Sequence, residues 1–147
     1  MIVRDSVDLD VPPETVFAWF AELNKHYREW HPDHRDCYWL TGKGMTTGAV
    51  LYAEEILHGR LHKMRFLMTD VAPDHYARFR ILGALGVLIP RGEFRVEPGP
   101  GGSVFTATLY PRCGRLLKLL MPARVRALVV HQNEEGLNLK QLLESGA

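Results

Sequence analysis

The stretch "PARVRALVVHQNEEGLNLKQLLES", residues 122–145, is the longest helical candidate in the sequence. Pro122 suits the first turn of a helix, because the amides of that turn have no helical partner. A short turn or helix with the leucines of 116–120 precedes it. Within the predicted helix, one stripe at i, i+3 and i+4 spacing carries Leu128, His131, Glu135, Asn138, Leu139 and Leu142. The pattern predicts a packed helix whose buried face is interrupted by two ionisable groups.

Residues 37–110 carry the signals of an antiparallel meander. Turn candidates at 42–48, 58–60, 72–74, 90–92 and 97–103 separate runs of about seven to ten residues. In the runs 61–70 and 76–81, apolar and charged side chains alternate, which indicates strands with one apolar face. That face must be covered, and the C-terminal helix is the long element available for this.

The N-terminal part completes the predicted order. Residues 2–10 alternate like a half-buried strand, and Pro12, Pro13 and Glu14 form a helix start. The apolar spacing of 16–23 predicts one short helix, and a second contains residues 26–30 and ends before Pro32. One strand, two short helices, a meander and a long helix predict an α+β helix-grip fold over residues 1–147. In this fold a curved antiparallel sheet wraps around the C-terminal helix and encloses a cavity.

Bulk composition limits the function classes. The 147 residues are 46% hydrophobic and 24% charged, with a net charge of +1, which is typical of a soluble globular protein and gives no sign of nucleic-acid binding. The two cysteines form no C-x-x-C pair and the N-terminus lacks a signal-peptide pattern, so we expect a cytoplasmic protein. The longest uncharged stretch, 81–90, is far shorter than the roughly 20 residues of a transmembrane helix.

His131 and Glu135 are the first candidate site residues. Four residues apart on a helix, their side chains project from the same face and can reach one atom. A buried carboxylate must be compensated, and a metal ion does this directly. One helical turn also separates the two zinc-binding histidines of H-E-x-x-H. The alternative is a buried hydrogen bond between the two side chains.

Glu55 is a second inward-facing acid in the predicted sheet. In the strand within "GAVLYAEEILHG", residues 48–59, Glu55 shares a face with Leu51, Ala53 and Leu57. Glu54 shares the opposite face with Tyr52 and other apolar residues, so it remains the alternative.

Two histidines in "YREWHPDHRDCYW", residues 27–39, provide further ligands. His31 and His34 follow the second short helix, in a loop that can close over the end of the cavity. Either histidine, together with Glu55, His131 and Glu135, would form a zinc coordination sphere that leaves a position for a water ligand. The alternative for each is a solvated loop residue.

These motifs resemble a known family. Residues 27–34, "YREWHPDH", 55–59, "EILHG", and 131–136, "HQNEEG", resemble in order and character the motifs of the 2,4-diacetylphloroglucinol hydrolases and their short relatives. That family belongs to the START-like, or SRPBCC, superfamily of polyketide cyclases and lipid-binding proteins. The resemblance implies a zinc ion held by His34, Glu55, His131 and Glu135. The interval between Pro32 and His34 is one residue shorter than the family pattern, which leaves His31 as a possible substitute ligand.

The resemblance also implies an activity. The family hydrolases cleave a carbon–carbon bond between an acyl group and a phenolic ring, so the expected substrate is a small acylated phenol or polyketide. Zinc can polarise a carbonyl and activate water. Tyr27 is expected to hydrogen-bond a substrate oxygen and Glu135 or Glu55 to transfer a proton. Iron, manganese and nickel accept similar donors. Candidates for the apolar wall are Trp30, Met64, Met68 and Phe79.

Two other functions compete with hydrolysis. A helix-grip domain without a reactive site can be a carrier that holds a hydrophobic or aromatic small molecule in the same cavity. The basic, leucine-rich stretch "GRLLKLLMPARVRALVV", residues 114–130, can alternatively lie at a membrane surface. The competing interpretation of that stretch is a core-packing segment with solvated arginines.

Overall fold

The computed structural model describes residues 1–57 and 59–145, which form one seven-stranded sheet and five helices. The strands are β1 (Val3–Leu9), β2 (His34–Thr41), β3 (Val50–Leu57), β4 (Arg60–Ala72), β5 (Tyr76–Leu82), β6 (Arg91–Gly99) and β7 (Gly102–Tyr110). The helices are α1 (Pro13–Ala21), α2 (Leu23–Trp30), α3 (Leu85–Leu88), α4 (Gly114–Leu120) and α5 (Pro122–Ser145).

The sheet is antiparallel throughout, in the order β1-β7-β6-β5-β4-β3-β2. Strands β2 through β7 are neighbours in sequence order, with α3 in the β5–β6 connection, whereas β1 pairs with β7 at the far edge. The predicted α+β helix-grip fold is confirmed, including the curved sheet around a long C-terminal helix and the two short helices after the first strand.

The alternating strand patterns produce the expected faces. In β5 the side chains of Ala77, Phe79 and Ile81 are buried and the intervening arginines are exposed. These residues join a core that includes the completely buried Leu139 of α5 and an aromatic group of Phe20, Phe94 and Phe105.

Two predictions about local structure are wrong. The turn predicted at 90–92 is absent, because β6 already begins at Arg91. The chain turns earlier, where Gly83 follows the end of β5 with φ of 83° and leads into α3. His34 lies in the first position of β2 rather than in a loop. The turn predicted at 58–60 includes His58, which lies outside the described residues, while the glycine-rich turn at 42–48 is present.

Candidate metal centre and cavity

Four side chains from three elements, β2, β3 and α5, converge at one point. His34 opens β2 and is directly opposite Glu55 of β3 in the antiparallel register, so the two side chains share a face. His131 and Glu135 reach the same point from one face of α5. The potential ligand atoms of all four residues lie within 4.8 Å of one another.

The distances show how closely the two imidazoles and two carboxylates meet. Nε2 of His34 lies 2.8 Å from Oε2 of Glu135 and 3.3 Å from Oε2 of Glu55. Nε2 of His131 lies 3.3 Å and 3.7 Å from the same two oxygens. The cluster is thus a set of four groups, mostly shielded from water, that could hold a metal ion.

Neighbouring groups fix the orientation of His34. Its Nδ1–H donates to the backbone carbonyl of Tyr27 at 2.8 Å, since a carbonyl can only accept. The Tyr27 ring also stacks on the imidazole, with centroids 3.9 Å apart. Nε2 is consequently the nitrogen directed at the two carboxylates, and a histidine anchored through Nδ1 in this way is typical of metal sites.

His131 is less well satisfied. It is buried, and neither of its ring nitrogens makes a hydrogen bond to any described part of the chain. Its Nδ1 points toward the Asp33 carboxylate, with Oδ2 3.8 Å away. A buried polar group without a partner carries a free-energy cost. A ligand for Nε2 would remove part of that cost.

The electrostatics of the metal-free cluster are those of two ion pairs. Burial lowers the pKa of His34, but the carboxylates of Glu135 and Glu55 outweigh it and raise the pKa to about 9. The same balance raises the pKa of His131 to about 10. Burial raises the pKa of Glu55 and of Glu135, yet the two histidines lower both below the usual range.

Tyr27 and Trp30 connect the second helix to this cluster. The Tyr27 hydroxyl donates to Oε2 of Glu55 at 2.7 Å. Burial, followed by the charges of Glu55 and Glu135, raises the Tyr27 pKa well above its usual value, so the hydroxyl keeps its proton. The Trp30 indole N–H donates to the backbone carbonyl of Glu135 at 2.8 Å, which attaches α2 to α5.

The structure places the alternative ligands elsewhere. His31 is buried beside His131, but its Nδ1 accepts from the Asp33 N–H at 2.9 Å and its Nε2 lies 3.3 Å from Glu134. It therefore joins a second, smaller group with Asp33 and His131 rather than the four-residue cluster. The Glu54 carboxylate accepts a hydrogen bond from Tyr52 on the opposite face of β3.

An apolar cavity of about 100 Å³ adjoins the cluster, with Tyr27, Glu55, His131 and Glu135 in its wall. The four residues predicted as apolar wall all line it, namely Trp30, Met64, Met68 and Phe79. Sequence reasoning missed two polar lining residues, Thr108 and Gln132. The Gln132 amide donates to backbone carbonyls of β1 and β7, and its only signal in sequence is its position beside His131.

This combination of a sheet, a long enclosed helix and an interior cavity defines a helix-grip protein of the SRPBCC superfamily. The chain belongs to the family described as polyketide cyclase / dehydrase and lipid transport, which it matches over residues 1–144. No curated protein matches it in sequence. The match is to the family as a whole, and the narrower resemblance to the diacetylphloroglucinol hydrolases stays a prediction.

Solved structures share the fold at low sequence identity. Ara h 8.0201 is 13% identical with a TM-score of 0.74, over 99% of this chain and 98% of its own. Protein Ms6760 from Mycobacterium smegmatis is 13% identical with a TM-score of 0.76, over 99% of this chain and 92% of its own. The di-domain ARO/CYC StfQ from the steffimycin biosynthetic pathway is 15% identical with a TM-score of 0.73, over 99% of this chain and 51% of its own. The family suggests a hydrophobic small-molecule ligand.

Proposed function

We propose that the protein binds a small, largely apolar molecule in the cavity, beside a zinc ion held by His34, Glu55, His131 and Glu135. The observation that carries the proposal is the convergence of these four groups at the polar end of an otherwise apolar cavity. Binding of a hydrophobic molecule agrees with the family, whereas zinc is supported by the donor set and by the geometry around it. Imidazole nitrogen and carboxylate oxygen are ligands that zinc commonly takes in proteins.

The residues around the cluster suit a metal ion better than they suit a structural ion-pair network. His34 already directs Nε2 inward, and Nε2 of His131, which lies near both carboxylates without a well-aligned hydrogen bond, would gain a ligand bond from a metal ion. Asp33 would then accept from Nδ1–H of His131 after a small movement from its present 3.8 Å, as carboxylates do behind metal-bound histidines.

A second candidate function is hydrolysis of an acylated phenol. It is favoured by the exposure of Tyr27, Glu55 and Glu135 to the cavity, where a ligand would touch them. Bound zinc would act as a Lewis acid toward a substrate carbonyl. The Tyr27 hydroxyl, which keeps its proton, would donate to a substrate oxygen, and Glu135 would hold or release a proton during the reaction.

Elemental analysis of the purified, untagged protein tests the metal site. We expect about one zinc ion per chain, lost in Glu55→Gln and in Glu135→Gln. Each variant has a matched control next to it in sequence, Glu54→Gln and Glu134→Gln, whose carboxylates lie outside the four-residue cluster. Absence of metal after incubation with zinc, or equal loss in the controls, would overturn the zinc site.

Titration with a fluorescent apolar probe such as anilinonaphthalene sulfonate tests the cavity. Leu57→Trp places a bulky ring in the cavity wall and should weaken probe binding, whereas Leu40→Trp alters an exposed residue of β2. Equal binding in both variants would contradict a ligand site in this cavity. A screen of acylphenols, with Tyr27→Phe beside the parent protein, then separates a hydrolase from a carrier, because a carrier converts none of them.

A further inference from the structure

The short helices α3 and α4 together present an apolar surface to solvent. Leu116, Leu119 and Leu120 lie at i, i+3 and i+4 on one face of α4 and are 52%, 76% and 68% exposed. On α3, Val87 is 63% exposed and Leu88 lies beside it. Large apolar side chains clustered in this way mark an interaction site more often than isolated ones do.

The two helices form one surface because the chain before α4 is attached to α3. The Arg112 backbone N–H donates to the Leu88 carbonyl at 2.7 Å, and its guanidinium Nε donates to the Val87 carbonyl at 3.1 Å. We call this surface, with the first turn of α5, the α3–α4 face.

Cations surround the apolar side chains, and acids are missing from the same segment. The chain has no Asp or Glu between Glu97 and Glu134. The exposed cations at or beside this face are Arg60, Arg112, Arg115, Lys118, Arg124 and Arg126. None of them is in an ion pair with a described residue, whereas Lys25, Arg78, Arg95 and Lys140 elsewhere in the fold each pair with an acid. Their charge is therefore available to an external anion.

A groove leads from this face toward the interior. It encloses about 170 Å³ and is lined by residues of α3, α4, α5 and the β3–β4 end, among them Leu88, Leu117 and Arg124. The residues that it shares with the cavity next to the metal centre are Leu57, Leu85, Ile89 and Leu128. The groove and the cavity are therefore adjacent, with these four apolar side chains between them.

We propose that the α3–α4 face docks onto the surface of a lipid bilayer that contains anionic lipids. The exposed leucines enter the boundary between headgroups and acyl chains, while Arg115, Lys118 and the neighbouring cations contact the anionic headgroups. A second copy of the chain is a poorer occupant, because self-association through this face would bring the unpaired cations of both copies together. The attachment is peripheral, since no helix among the described residues is long and apolar enough to cross a membrane.

Docking there gives the cavity access to molecules dissolved in the bilayer. Leu88 of α3 and Leu117 of α4 line the groove, so the groove lies next to the exposed leucines and a lipophilic molecule leaving the membrane would have a short path to it. This inference does not depend on zinc, and the face can bind vesicles whether or not the metal centre is occupied.

Vesicle co-flotation of the full chain tests the proposal. We expect binding to vesicles of phosphatidylcholine with phosphatidylglycerol, weaker binding in high salt, and little binding to phosphatidylcholine alone. Lys118→Glu should lower the partition coefficient roughly thirtyfold, because each unit of charge changes it roughly fivefold. Its control is Lys43→Glu, an exposed lysine on the β2–β3 turn. Leu119→Asp should lower binding as well, because it puts a charge into the apolar face, and its control is Val130→Asp on the exposed side of α5.

The outcomes separate the alternatives. Loss of flotation in Lys118→Glu and Leu119→Asp, with binding retained in both controls, supports the proposal. Failure of the parent protein to float with anionic vesicles, or equal loss in the controls, overturns it. A dimer in analytical ultracentrifugation that Leu119→Asp dissociates would assign the face to a second copy instead. Circular dichroism of each variant ensures that lost binding is not lost folding.

Discussion

Zinc binding should release about two protons per ion at neutral pH. In the metal-free protein the pKa of His34 is raised to about 9 and that of His131 to about 10, so both imidazoles are charged at pH 7. Zinc accepts only neutral imidazole, and each histidine therefore loses a proton when the ion binds. Glu55 and Glu135 contribute none, because their lowered pKa values leave them ionised already.

The size of the effect follows from these pKa values. At pH 7 more than about 99% of each imidazole is protonated, since its pKa lies at least about two units higher. The apparent zinc affinity should then rise roughly a hundredfold per pH unit between about pH 6 and 8. Calorimetric titration in buffers of different ionisation enthalpy counts the protons, and competition with a chelator at several pH values gives the slope.

A matched histidine variant keeps the measurement specific. His75 is exposed, lies between β4 and β5 and is not part of the cluster, so His75→Gln should release the same number of protons as the parent protein. Zinc binding with no proton release, or with the same affinity at pH 6 and pH 8, would refute the charged imidazoles on which the argument rests.

Three further changes have defined outcomes. Gly92→Ala places a methyl group 2.6 Å from the Phe79 ring and should destabilise the protein by about 1–3 kcal/mol, measured by urea unfolding. Gln132→Leu removes the donor to two buried carbonyls and should cost about 1–3 kcal/mol in the same assay; no change would show that water replaces the amide. In the metal-free protein, the raised pKa values of His34 and His131 give stability that is complete below about pH 6.5 and is lost as the pH rises through about 9 to 10. Unfolding midpoints at pH 6 and pH 9.5 measure that loss, and a higher midpoint at pH 9.5 would contradict it.

The local sequence pattern was sufficient to predict most of the secondary-structure elements. Alternation in β4 and β5, the proline-initiated α1 and α5, and the glycine-rich turn at 42–48 all appear where the sequence predicts them. Each depends on chemistry within a few residues. The strands follow from the period of their side chains, the helix starts from a proline without an amide N–H, and the turn from glycines with positive φ. The segment 81–90 has an apolar run without a clear period, and α3 was missed there for that reason.

For the candidate site, the sequence by itself determined that His131 and Glu135 share one face of a helix and favoured Glu55 over Glu54 as the inward acid. Both follow from the periods of a single element. The tertiary structure alone brings His34 into the four-residue cluster, because His34 meets Glu55 only through the pairing of β2 with β3, and His31 instead contacts Asp33 and Glu134. It also decided that α4 follows directly on a segment bonded to α3, through Arg112 and the carbonyls of Val87 and Leu88. Contacts between residues so far apart in sequence depend on strand register and helix packing, which no local period records.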